Sequence, residues 1–93
     1  MDKKKLIIAR NKIDQLDNSI FKLIKKRTKV VEYMLNLKQF KYQIVDRKRT
    51  SKILKKIRKK SIQNGIDPKI TLRIWKAMIW SYVDFQRRNF KRK

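Results

Sequence analysis

The chain of 93 residues has no cysteine and no histidine, one glycine, one proline, and only 7 acidic residues against 29 Lys and Arg. Without cysteine there is neither a disulfide framework nor a thiol nucleophile. Without histidine there is no imidazole base and no ordinary metal site. Most hydrolytic mechanisms are excluded with them. Gly65 and Pro68 stand three residues apart, so the chain carries one strong break, and long helices are expected elsewhere. No apolar run is long enough to cross a bilayer. Leu6 to Ala9, after the basic opening, is too short for the core of a signal peptide, which makes a cytoplasmic protein the simplest expectation and gives no role to a membrane.

Apolar residues make up 41% of the chain and recur with helical periodicity, so a disordered basic tail is not expected. The reading is all-α, a single domain over residues 1–93 with one long, one short and one medium helix. The formal charge of +22 suits nucleic acid, an anionic membrane surface or an anionic small molecule. Lys and Ile are both over-used and both have A/T-rich codons, so a genome-wide bias would also place lysines at positions without function.

In the first helix, expected from Asp2 or Lys3 to Leu37 or Phe40, apolar residues fall at Leu6, Ala9, Ile13, Leu16, Ile20, Leu23, Val30, Met34 and Leu37. The step is interrupted only at Arg27, which aims a cation at the apolar side. Asp14 and Asp17 are placed to pair with Arg10. A connector, Gln39 to Val45, leads to Asp46, which reads as the N-cap of a second helix ending near Gln63. The apolar face of that helix is thin, with Ile53, Leu54, Ile57 and Ile62. Gly65 then stops it, and Asp67-Pro68 starts a third helix running to about Phe90. Two adjacent apolar lines mark the third helix, one through Ile70, Ile74, Met78, Ser81 and Phe85, the other through Leu72, Trp75, Ile79, Tyr82, Gln86 and Phe90. The tail Lys91 to Lys93 is expected to fray.

Arg27 and Lys38 are eleven residues apart, about three helical turns or roughly 16 Å, and project from one face. They are spaced to bracket a small anion. Arg10 lies roughly 25 Å before Arg27, too far to reach the same small ligand on a straight helix. At about 50 Å the first helix exceeds the width of a compact chain this size. If two copies pack antiparallel, Arg10 of one approaches Arg27 of the other and the protruding helix is covered. Taken singly, each arginine reads equally as a snorkelling or salt-bridged helix residue, and Gln86 as a backbone-bonded one.

Taken together, Ala9 to Asp17, Leu23 to Arg27, Lys38, Val45 to Arg49 and Trp80 to Gln86 resemble the all-helical chorismate mutases of the AroQ class. The resemblance implies three helices per chain in an entwined antiparallel homodimer, with chorismate, a dicarboxylate, as the small-molecule partner. It implies that Arg27, and Arg10 from the other protomer, bind the two carboxylates. Lys38 and Gln86 contact the ether oxygen, Asp46 takes the ring hydroxyl, and Arg49 adds to the cationic wall. The catalytic groups are then Arg27, Lys38 and Gln86, with no metal and no cofactor.

The reaction so implied, chorismate to prephenate in aromatic amino-acid biosynthesis, is a unimolecular pericyclic rearrangement. It needs no nucleophile and no proton relay, so the missing His and Cys are expected. The protein selects a compact conformer of a flexible dianion and stabilises charge developing at the ether oxygen. Planar guanidinium forks suit carboxylates, and an ammonium and an amide N–H suit the ether oxygen. Two positions depart from the family pattern. Thr50 stands where Glu is usual, and Tyr82 where many mutases have Ser; both look more like the related isochorismate-pyruvate lyases, whereas Asp46 favours the mutase. A basic helical nucleic-acid-binding protein is the further alternative. It is not preferred, because it leaves the spacing of Arg10, Arg27, Lys38 and Gln86 unexplained.

Overall fold

The computed structural model describes residues 2–91. Arg92 and Lys93, expected to fray, lie outside the described residues. Among the described residues there are three α-helices, α1 (Lys3–Leu37), α2 (Arg47–Gln63) and α3 (Pro68–Asn89), with a single 3-10 turn at Lys41–Ile44. The all-α expectation holds, and each boundary has a local cause. Asp2 Oδ1 accepts from the Lys5 amide at 3.2 Å at the start of α1. Asp46 Oδ1 accepts from the Arg49 amide at 3.0 Å, which caps α2 as expected. Asp67 Oδ1 accepts from the Lys69 amide at 2.9 Å, with Pro68 at the first helical position of α3. Each carboxylate satisfies an amide that has no partner within its helix.

The end of α2 is a Schellman motif. The Ile66 amide donates to the Ser61 carbonyl at 2.9 Å and the Gly65 amide to that of Ile62 at 3.3 Å, as the motif requires. Gly65 has φ +69°. That left-handed conformation is why glycine is needed here, since nothing lies within 4 Å of an added Cβ. In the connector, Gln43 Oε1 accepts from the amides of both Gln39 and Phe40 at 2.8 Å. This side chain closes a 3-10 turn that the apolar pattern does not reveal.

The chain divides into two compact units between Val30 and Val31. The first is the run of α1 up to Val30. Of its apolar stripe, Leu6 is half-buried while Ala9, Ile13, Leu16, Ile20, Leu23 and Val30 are exposed. Arg27 and Thr28 are half-buried. Among the described residues no ion pair joins Arg10 to Asp14 or Asp17; the close pair is Arg88–Asp84, on α3, at 2.9 Å.

The second unit contains the end of α1, the 3-10 turn, α2 and α3. Leu35, Ile44 and Val83 form its buried cluster, with Val45 and Phe90 packed against it. Leu35 and Val83 lie off the lines read from the sequence. Of the two lines on α3, the one through Ile79, Tyr82 and Gln86 is turned inward, whereas Ile70 and Ile74 are 56% and 51% exposed. The α2–α3 hairpin closes on a polar contact. Ser61 is buried, its Oγ lying 2.6 Å from both the Ile57 carbonyl and Thr71 Oγ1, while the expected Ile62 is exposed. Ser61 is four residues beyond Ile57 and therefore continues its row; Ile62 lies about 100° further round.

Candidate active site

The decisive hydrogen bond joins two residues 48 apart in sequence. Lys38 Nζ donates to Gln86 Oε1 at 2.7 Å. Lys38 follows directly on the last residue of α1, where its amide donates to the Leu35 carbonyl at 3.1 Å. Gln86 sits in the last turn of α3 and is 8% exposed. Its Nε2 donates to the Tyr82 carbonyl at 3.2 Å. The amide is thereby held from both ends, with one N–H of the NH₂ group left over.

Burial pushes the Lys38 ammonium below its ordinary pKa, and the Asp46 carboxylate opposes that shift. A cation in a part-dry setting, bonded to an amide oxygen, is a hydrogen-bond donor with a fixed direction. Such a group stabilises an oxygen on which negative charge accumulates. Asp46 already uses Oδ1 to cap α2, so its second oxygen is the one available to a hydroxyl.

The remaining candidates are placed differently. Arg49 is exposed in the first turn of α2 and is tied to Asp46 through its backbone amide. Tyr82 is half-buried, one turn before Gln86. Thr50 is half-buried and lines a groove of about 470 Å³ with Val45, Leu54, Lys55 and Trp80, among others; Lys38, Asp46, Tyr82 and Gln86 are not in its lining. The sequence pattern does not single out Trp80, because it falls on neither apolar line of α3. Arg10 is exposed and Arg27 half-buried, both in the first unit. Among the described residues no cluster of acidic side chains is able to hold a metal.

The family model for chorismate mutase type II matches residues 9–87. The chain belongs to that family. No curated protein and no solved structure matches it. The matched span runs from Ala9, just before Arg10, to Arg87, just after Gln86, and so includes every candidate residue.

Proposed function

We propose that the chain is a chorismate mutase, converting chorismate to prephenate. The observation that carries this reading is the Lys38–Gln86 pair, because it supplies hydrogen-bond donors and nothing else that the chemistry could use. In the rearrangement the ether C–O bond breaks as a new C–C bond forms, and no proton enters or leaves. The work of the protein is to hold the dianion in a chair-like conformer and to stabilise the ether oxygen as it gains charge.

Lys38 donates to that oxygen, keeping one of its three N–H groups on Gln86, and the spare Gln86 N–H donates alongside. Arg27 takes one carboxylate and Arg10 of the partner subunit the other, each as a two-pronged donor. Asp46 accepts from the ring hydroxyl, Arg49 contributes positive charge, and the Thr50 hydroxyl stands in weakly for the usual Glu. The homodimer is part of this proposal. The exposed stripe on α1, with Ile13, Leu16, Ile20 and Leu23 all more than half exposed, is the surface a second copy would cover.

Isochorismate-pyruvate lyase is the second reading, favoured by Thr50 and by the bulk of Tyr82. An ultraviolet assay of the purified chain separates the two. Loss of chorismate with isochorismate left intact is expected. Consumption of isochorismate with release of pyruvate, and no turnover of chorismate, would establish the lyase. Turnover of neither overturns both readings.

The pKa of Lys38 gives a further expected result. Catalysis needs its charged form, and burial brings deprotonation below the ordinary value of 10.5. The mutase kcat/KM, which reports the free enzyme, should therefore fall on the alkaline side, through a midpoint under that value. Asp46→Asn removes the carboxylate that raises the pKa and should move this limb to lower pH. A limb that stays in place, or moves up, would show that Lys38 is not the titrating group.

A further inference from the structure

The proposed site uses few of the 29 cations, and α2, whose only cation in that site is Arg49, holds a large group of them. Nine of its seventeen residues are Lys or Arg, and none is acidic. All nine are exposed, and among the described residues none is in an ion pair. At 100° per residue the nine occupy a continuous arc of about 220°, from Arg47 round to Lys60. The complementary arc holds Thr50, Ile53, Leu54, Ile57 and Ser61, which are half-buried or buried. Charge and burial are cleanly divided on this helix.

Like charges four residues apart, such as Lys48–Lys52, Lys52–Lys56 and Lys55–Lys59, repel one another. A bound polyanion would relieve that repulsion. Two shallow hollows run between the basic rows and share Lys55. One, of about 440 Å³, is lined by Arg47, Lys48, Ser51, Lys52 and Lys55. The other, of about 280 Å³, is lined by Lys55, Arg58, Lys59, Ile62 and Gln63.

We propose that the basic arc of α2 is a docking surface for the phosphate backbone of double-helical nucleic acid, bound without regard to sequence and separately from the mutase site. Charge complementarity carries the choice. The helix is about 25 Å long, enough to follow roughly seven base pairs, and its cations are laid out as long rows rather than converging on one point. A lipid surface fits less well. The aliphatic residues Ile53, Leu54 and Ile57 are half-buried and Ile62 alone is exposed, so the helix lacks the free apolar side that an interfacial helix inserts. Single strands fit less well too, because α2 carries no aromatic side chain on which bases could stack.

The test is a fluorescence-anisotropy titration of the full chain against a short duplex of mixed sequence over a series of salt concentrations. The logarithm of the binding constant should fall linearly with log salt. The variant Lys52→Gln/Lys55→Gln/Lys56→Gln/Lys59→Gln should reduce the steepness of that line by about 3 to 4, at roughly 0.9 for each phosphate no longer neutralised. A control with the same change in charge, Lys3→Gln/Lys4→Gln/Lys5→Gln/Lys12→Gln, should change the slope by about one or less. Circular dichroism confirms that each variant is helical. If the fourfold variant unfolds, Lys52→Gln/Lys59→Gln should give about half the effect. Equal shifts in variant and control, binding to phosphatidylglycerol vesicles but not to duplex, or no salt-dependent binding at all would each overturn the proposal.

Discussion

Lys38→Ala is expected to lower mutase kcat by about 10² to 10³, the usual consequence of removing one preorganised donor to a developing oxyanion, while the far-ultraviolet circular dichroism stays helical. Lys38 follows α1 rather than lying within it, and its backbone amide bond to the Leu35 carbonyl does not depend on the side chain. The buried cluster of Leu35, Ile44 and Val83 is likewise untouched. The substitution removes the 2.7 Å bond to Gln86 Oε1 and, with it, the ammonium of the part-buried pair. KM should change less than kcat, because the ether oxygen carries most of its charge in the transition state rather than in bound substrate. Lys38→Arg should not restore the rate. A planar guanidinium cannot reproduce the point charge and three-way donation of an ammonium at that distance from Gln86. Wild-type turnover in purified Lys38→Ala would refute the assignment.

The second large effect concerns Arg10 and Arg27. Each single alanine variant should be inactive when pure, since each leaves one substrate carboxylate without its bidentate partner. Mixing the two inactive proteins under conditions that allow subunit exchange should restore activity. In a two-fold dimer whose sites each combine Arg27 of one copy with Arg10 of the other, random reassortment leaves about a quarter of the sites intact. Recovery to about a quarter of the wild-type rate would establish both the dimer and the crossing of Arg10 between copies. No recovery, in a mixture shown by mass to contain heterodimers, would place both arginines in one chain's site and remove the reason for the antiparallel arrangement.

The helices and their ends are legible residue by residue. Asp46 and Asp67 read as caps and act as caps; Gly65 reads as a stop and adopts the left-handed backbone that makes it one. These are interactions over a few residues, and spacing alone specifies them. The stripe on α1 is legible as a pattern, but all its members except Leu6 are exposed in the single chain, because periodicity marks which side of a helix is apolar and not what lies against it. The 3-10 turn escapes the pattern because its cause is one side chain, Gln43, folding back on two amides.

Sequence alone therefore determined the all-α class, the three helices and the lack of any thiol or imidazole group, since all of these follow from residue type and local order. Tertiary structure decided which of two apolar lines on α3 is buried, that Ser61 and Thr71 rather than Ile62 seat α2 on α3, and that Lys38 meets Gln86 across 48 residues. Contacts between distant segments depend on how helices rotate and settle against one another. Small differences in packing set that rotation, and helical periodicity does not encode it.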